Sequence, residues 1–286
     1  MQSMNNLSQI ISELLTGGKV TKVIGYVKSG SRSKPFISSK AEDAGKFIMD
    51  ETCVNNLAVY LTKDEIMKQG KVAVVAKGCD IRAIVALIQE NQIKRDDVYI
   101  IGVNCQGVKE NFDSNVLAAK CTPCKVKTPA VYDVLIEMEK PKSEPSKENK
   151  KEEIEKISAM TDAERFEFFE KEFEKCIKCY ACRQACPLCY CEQCIADKSV
   201  PRWIESSATR RGNMAWNIIR AFHLSGRCIG CNECERVCPQ DIPLSLLNKK
   251  MSMVAFDEFG YEAGMDMDAP TLTGNYDIKD NEDFIQ

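Results

Sequence analysis

Eight cysteines in two runs carry the most legible chemistry of this 286-residue sequence. The first run, CIKCYACRQACP, begins at Cys176, and the second, CIGCNECERVCP, at Cys228. Both read C-x2-C-x2-C-x3-C-P, the spacing that holds a cubane [4Fe–4S] cluster. Three thiolates two residues apart wrap a tight loop round one face of the cube. The fourth, ahead of a proline, points away and ligates the other cluster of a pair. Cys176, Cys179 and Cys182 are therefore expected to share a cluster with Cys238, and Cys228, Cys231 and Cys234 to share the second with Cys186. Zinc also binds C-x2-C pairs. It does not need four cysteines in this register twice over, each run closed by a proline, Pro187 or Pro239.

The other cysteines fall into two groups and a remainder. Cys189, Cys191 and Cys194 follow the first run in PLCYCEQC, one ligand short of a cubane. Cys79, Cys105, Cys121 and Cys124 lie in the N-terminal half, and Cys53 is left over. A third cluster in the N-terminal half is expected, with Cys79 its least secure ligand, and four clusters would use all sixteen cysteines. No secretory n-region, apolar h-region and cleavage site opens the chain. That many cysteines without export argue for metal over disulfides and for a cytoplasmic protein of an anaerobe.

Composition narrows the classes further. No apolar run approaches the roughly 20 residues of a membrane span. The formal net charge of −3 treats thiols as neutral and gives no support for nucleic-acid binding. His223 is the only histidine, which removes most hydrolytic triads and mixed His/Cys zinc sites. Within AWNIIRAFHLSG it reads as a packed or capping residue of a helix. Lys178, Arg183 and Arg236 lie inside the cysteine runs, where they either offset cluster charge or are solvated surface cations.

The elements that must position these residues suggest an α/β N-terminal domain with a parallel sheet over 1–139, then a charged linker over 140–156. A mainly α-helical dicluster domain follows over 157–256, with an acidic tail over 257–286. MQSMNNLSQIISELLTGG reads as an amphipathic helix, residues 20–27 as a strand and 41–61 as one or two helices. KVAVVA (71–76) and VYIIGV (98–103) are short apolar runs suited to strands buried on both faces. Between them Ile81, Ile84, Val85 and Ile88 recur at helical spacing, which makes a parallel βαβ unit. That topology puts Cys79 and Cys105 at the carboxyl edge of the sheet, where open parallel sheets bind ligands. Cys79 also opens a helix, whose N-terminus favours a thiolate. The loop 29–35, SGSRSKP, reads as a mobile hairpin loop in preference to a phosphate contact. Thr161 and Glu164 form a capping-box pattern ahead of a stripe of Phe166, Phe169 and Phe173. Residues 206–226 read as a long helix stopped by Gly226. In the tail, Phe259, Tyr261, Met265, Leu272 and Phe284 could anchor it over its own domain or a partner, with disorder the alternative.

VAVVAKGCDIRAIVALIQENQIKRDDVYIIGVNC resembles the core of the β-subunit family of coenzyme-reducing hydrogenases and formate dehydrogenases, the deazaflavin-dependent FrhB/FdhB type. The resemblance covers roughly Gly70 to Cys124. From Cys176 to Met251 the chain looks like the dicluster ferredoxin modules of heterodisulfide-reductase-type and formate-dehydrogenase-associated subunits. Members of the deazaflavin type carry FAD beside an iron–sulfur cluster. Here the ferredoxin module is C-terminal, the α/β part is short, and no G-x-G-x-x-G run follows a strand. The resemblance implies a non-catalytic electron-transfer subunit of an anaerobic oxidoreductase complex of formate dehydrogenase, hydrogenase or heterodisulfide-reductase type. Its partners would be a catalytic subunit and a flavin-bearing subunit or ferredoxin, with no nucleic acid and no membrane span. Two alternatives are an FAD-containing β subunit that itself reduces a deazaflavin or nicotinamide, and a zinc-binding structural subunit.

Overall fold

The computed structural model describes residues 2–276 and 278–279, and divides into two compact units, Met1–Glu148 and Asn149–Gln286. In the first, α1 (Gln2–Thr16) buries Leu7, Ile11 and Leu14 at i, i+4 and i+7 and ends at Gly18, whose φ is +63°. β1 (Lys22–Ser29) and β2 (Arg32–Ser38) then form an antiparallel hairpin with only Gly30 and Ser31 between them. The expected mobile loop at 29–35 is thus a tight turn, and Lys34 and Pro35 belong to β2. That strand ends the sheet, where a proline without an N–H is tolerated.

Residues 41–61 form no α-helix. They make two 3₁₀ segments, Ala41–Lys46 and Leu57–Thr62, separated by β3 (Phe47–Ile48). Side chains compete for the backbone donors that a continuous helix would need. The Asp50 carboxylate accepts from Thr52 N at 2.7 Å, and the Asn56 side chain from Ala58 N at 3.1 Å.

A single turn, α2 (Asp64–Met67), leads into the expected βαβ unit of β4 (Val72–Ala76), α3 (Gly78–Gln89) and β5 (Val98–Asn104). β6 (Val134–Glu137) completes the order β2-β1-β4-β5-β6. β1, β4, β5 and β6 pair in parallel, while β2 and β3 run antiparallel to β1, so the sheet is mixed and dominated by parallel pairs. Every residue of β4 is buried, the reason it reads as an unbroken apolar run.

A charged network is buried at the carboxyl end of β4. Lys77 and Asp80 are 1% and 0% exposed, with Nζ 2.9 Å from Oδ2. Lys77 Nζ also donates to Tyr26 Oη and to the Asn55 carbonyl, and Asp80 accepts from the backbone N–H groups of Lys77 (2.8 Å) and Leu57 (2.7 Å). Burial pushes the Lys77 ammonium down, but Asp80 and Tyr26 outweigh it and hold it well above the usual lysine value. The cation thus persists up to strongly alkaline pH, and its contribution to stability fades only as pH rises through that raised value.

The second unit contains ordered structure in part of the stretch read as a linker. Residues 140–148 stay with the first unit: Glu144 exchanges backbone hydrogen bonds with Asn115 and Leu117, and Lys142 and Ser143 donate to Glu51. From Lys150 the chain is α4 (Lys150–Ser158), and its Ile154 and Ile157 are buried against Leu246. The charge of this stretch lies on the outer face of a packed helix.

α5 (Asp162–Glu174) has the expected capping box: Glu164 N donates to Thr161 Oγ1 at 3.3 Å, and Thr161 N to Glu164 Oε2 at 2.8 Å. Two members of its expected aromatic stripe, Phe169 and Phe173, face the core, and the first does not. Phe173 is buried and Phe169 packs against it, but Phe166 is 58% exposed and Phe168 takes its place, over Ile154 and Ile157. The arrival of α4 explains the shift, because it widens the buried face of α5 on one side. Two short helices, α6 (Ala181–Ala185) and α8 (Glu233–Arg236), lie within the cysteine runs. Between them runs α7 (Arg210–His223), shorter than the expected 206–226, and α9 (Leu244–Phe259) extends into the acidic tail. Gly260, at φ +62°, ends α9. Further on, the tail returns to its own unit at Leu272, whose side chain lies 2.9 Å from where a Cβ on Gly226 would sit. Phe284 lies outside the described residues.

Asp80 satisfies one buried cation and two buried backbone donors. Asp80→Ala should therefore destabilise the N-terminal unit by about 3–5 kcal/mol, the cost of stranding a buried charge. Urea unfolding followed by hydrogen exchange in β4 and β5 would check this against an exposed control such as Asp162→Ala.

Candidate metal centres

The two cysteine runs fold as copies of one loop. In the first, Lys178 and Tyr180 have φ of 55° and 59°; in the second, Gly230 and Asn232, at the same positions, have φ of 69° and 56°. Residues after the first and second cysteine thus turn left-handed, and a short helix carries the third. Lysine and tyrosine rarely adopt this conformation, so the first loop stores backbone strain that its surroundings must hold. They do: Asn213 Nδ2 donates to the Cys176 carbonyl at 2.7 Å, Lys178 Nζ to the Gly212 carbonyl at 3.0 Å, and Tyr180 meets Trp216 edge-on at 5.0 Å. All three partners lie on α7.

Each loop walls one pocket, and each pocket also takes a cysteine from the other run. Cys176, Cys179, Cys182 and Cys238 line the first, with Trp216 and Ile242. Cys186, Cys228, Cys231 and Cys234 line the second, with Arg220, Ser245 and Asn248. In the second, Ser245 Oγ and Arg220 Nε are buried without a hydrogen-bond partner among the described residues. Unmatched donors in a wall of thiols fit the sulfide acceptors of an iron–sulfur cluster. Among the described residues no three His, Cys, Asp or Glu side chains converge tightly enough to hold a single metal ion. Tetrahedral zinc would need its sulfurs about 3.8 Å apart.

Arg220 is the functional residue that motif reading missed. It is 6% exposed, and its guanidinium acts on the thiols of Cys182, Cys186, Cys189 and Cys234 while Nη2 donates to the Cys182 carbonyl at 3.2 Å. The signal was a lone arginine on the apolar face of AWNIIRAFHLSG, with no acidic residue one helical turn away to pair it. Of the three cations inside the runs, Arg183 hydrogen-bonds Cys194 and Lys178 acts on the Cys176 thiol, and all three have further partners. Arg183 pairs with Asp197, Arg236 with Glu233 at 2.6 Å, and Lys178 lies 5.6 Å over the Trp216 ring.

Burial pushes the Cys234 thiol up to about 12, against the partial opposition of Arg220. A hydrogen bond between Cys186 and Cys189 holds Cys189 below its ordinary value and drives Cys186 well above it. Cys189, Cys191 and Cys194 line a third pocket, against the α7 face that carries Trp216, Arg220 and His223. Cys53 plays no part there. It lies in the N-terminal unit, 0% exposed, and its sulfur accepts from Asp50 N at 3.4 Å.

In the N-terminal unit, Cys79 is the second residue of α3 and Cys105 directly follows β5, so both stand at the carboxyl edge of the sheet. The loop after Cys121 folds over that edge so closely that a Cβ on Gly78 would fall 1.7 Å from the Val126 carbonyl oxygen. Cys79 and Cys105 lie within electrostatic reach of each other, and so do Cys105 and Cys121; Cys124 N donates to the Cys121 carbonyl at 3.4 Å. The helix N-terminus does not favour a Cys79 thiolate, contrary to the sequence expectation. Burial and the Asp80 carboxylate push that thiol well above its ordinary value, and burial pushes Cys105 to about 11.

Comparison with known proteins agrees with this arrangement. Residues 175–243 match the family of 4Fe-4S dicluster domains. The chain is 27% identical, over 71% of its length, to F420-dependent formate dehydrogenase subunit beta of Methanocaldococcus jannaschii, 76% of which is covered. It is 23% identical, over 73% of its length, to F420-dependent formate dehydrogenase 1 subunit beta of Methanococcus maripaludis, with 77% covered. The similarity to formate dehydrogenase β subunits therefore extends over most of the chain, and its C-terminal unit carries a 4Fe-4S dicluster domain. No helix among the described residues is long and apolar enough to cross a membrane.

The thiols predict an order of reactivity in iron-free protein. With both raised to about 12, Cys53 and Cys234 should alkylate about a thousandfold more slowly at pH 8 than a thiol of ordinary value 9.0, while exposed Cys179 and Cys191 react first. Timed alkylation read by peptide mass spectrometry gives the order directly.

Proposed function

We propose that this chain is an iron–sulfur electron-transfer subunit of an oxidoreductase complex of the formate dehydrogenase class. It would hold two [4Fe–4S] clusters in its C-terminal unit and a third at the sheet edge of its N-terminal unit. The observation that carries the reading is the lining of the two pockets, each with three cysteines of one run and the last cysteine of the other. This supports Cys176, Cys179, Cys182 and Cys238 as one ligand set, and Cys228, Cys231, Cys234 and Cys186 as the second. For the third set, the closure of the 121–126 loop over α3 supports Cys79, Cys105, Cys121 and Cys124.

Clusters of this kind exchange single electrons at potentials set by burial, hydrogen bonds to sulfur and nearby charge. The chain's own residues supply those settings. The thiols of both runs lose their protons on ligation, and Arg220, buried among them, compensates the negative charge that results. Asn213 holds the Cys176 loop in its left-handed form, and Ser245 offers a donor to the second pocket. The names of the relatives point to a multisubunit assembly around this chain, with formate oxidation on another subunit and a deazaflavin or flavin carrier on the far side of the relay.

Cys186→Ser tests the crossed arrangement. In anaerobically reconstituted full-length protein it should weaken the cluster held mainly by Cys228, Cys231 and Cys234, and leave the Cys176-side signal in paramagnetic resonance. Loss of the Cys176-side signal alone would refute the pairing. Flavin bands in the visible spectrum of the purified chain would favour the FAD-bearing alternative. Arg220→Met should move the midpoint potential of the Cys234-side cluster to more negative values, because a buried positive charge that favours the reduced state is gone. A redox titration with paramagnetic detection measures that shift.

A further inference from the structure

Three cysteines outside the two ferredoxin runs line a pocket of their own. Cys189, Cys191 and Cys194 face α7, and the chain's single histidine, His223, lines the same pocket one turn beyond Arg220. The cysteine count leaves no thiol to complete this group. Eight cysteines stand in the two runs and four at the N-terminal sheet edge; the last, Cys53, is fully buried in the other unit. His223 is exposed, and its side chain makes no hydrogen bond or ion pair among the described residues, so the expected packed or capping role is not what holds it.

The charge around the pocket points to an anionic occupant. Arg220 and Arg227 both line it. Arg220 is more than nine-tenths buried and, as part of a wall shared with the second pocket, brings its positive charge to both. Its guanidinium already acts on Cys189.

We infer that Cys189, Cys191, Cys194 and His223 bind a further [4Fe–4S] cluster, with the imidazole as its fourth ligand. Binding takes two ferrous ions, two ferric ions and four sulfides from solution, which make the [4Fe–4S]²⁺ core with no change of oxidation state, and the three thiols give up their protons to water; the neutral imidazole contributes a nitrogen lone pair and no charge. With one thiolate fewer, the site carries one negative charge less than an all-cysteine cluster, and histidine ligation raises the potential. The cluster would therefore be the most easily reduced of the C-terminal unit. It would also be the one nearest solvent, since Cys191 and His223 are both exposed. The inference adds to the two-cluster reading and can fail without it.

A single histidine makes the test specific. Full-length protein, purified without a histidine tag and labelled with ¹⁵N-histidine, is reconstituted anaerobically with ferrous and ferric iron and sulfide, then reduced stepwise. Pulsed paramagnetic resonance of the first species reduced should show a directly bound nitrogen that changes with the isotope. His223→Cys should keep the iron count, abolish the nitrogen coupling and move that midpoint negative. Cys191→Ser with Cys194→Ser should remove about four irons and leave the signals of the ferredoxin pair. Absence of nitrogen coupling overturns the proposal, as does zinc in place of iron at this site or an unchanged iron count in the double variant. If the ferredoxin pair fills and this pocket does not, only this inference falls; if no iron binds anywhere, the reading of the whole C-terminal unit falls with it.

Discussion

A buried guanidinium organises the C-terminal unit. Arg220 lies among four thiols with one carbonyl as its hydrogen-bond partner, an arrangement that would cost several kcal/mol if those sulfurs stayed protonated and neutral. It becomes favourable when they are thiolates. The fold fixes the arginine there by making α7 the shared wall of three cysteine pockets. Thr209 caps the helix through Gly212 N, and Gly212 passes so near the Ser207 carbonyl that a Cβ would stand 2.2 Å from its oxygen. With that start fixed, Asn213, Trp216 and Arg220 follow at helical spacing: Asn213 holds the Cys176 carbonyl, Trp216 lines the first and third pockets, and Arg220 the second and third. The protein has thus built a positive site ahead of the negative charge it is made to hold.

The two units gather cysteines by different physical means. In the C-terminal unit the ligand spacing is local: a left-handed turn after each of the first two cysteines curls the backbone round a pocket, and only the fourth cysteine comes from a distance. In the N-terminal unit the gathering is topological. Cys79 and Cys105 are remote in sequence and meet because parallel strands end at the same edge. A glycine that tolerates the close passage of the Val126 backbone then brings Cys121 near.

This difference decides how much could be read from the chain alone. The two runs announced their chemistry by spacing, and the βαβ unit by its valine-rich strands, so the dicluster domain and the parallel core of the sheet were both legible. The 3₁₀ segments of 41–61 were not, because Asp50 and Asn56 act through side-chain hydrogen bonds that periodicity does not register. α4 was hidden by composition: Ile154 and Ile157 are too few to stand out among lysines and glutamates, yet they suffice to pack a helix. Cys79 misled for a third reason. A helix N-terminus favours a thiolate, but burial and, after it, the Asp80 carboxylate oppose one at Cys79, and only the fold shows that they prevail.

The exchange of one cysteine between the runs has a consequence for how the protein matures. The second pocket joins Cys186 to Cys228 and the first joins Cys182 to Cys238, so on the proposed ligation the two would close nested versions of one long loop. The entropy of that closure is spent once. On the proposed ligation, whichever pocket filled second would meet a chain already drawn together, and states with one pocket filled would be thinly populated beside the empty and complete forms. Loading of iron and folding of the unit then become a single cooperative transition. A cell short of iron would accumulate a mixture of finished and empty molecules, with few half-built ones able to leak electrons to oxygen.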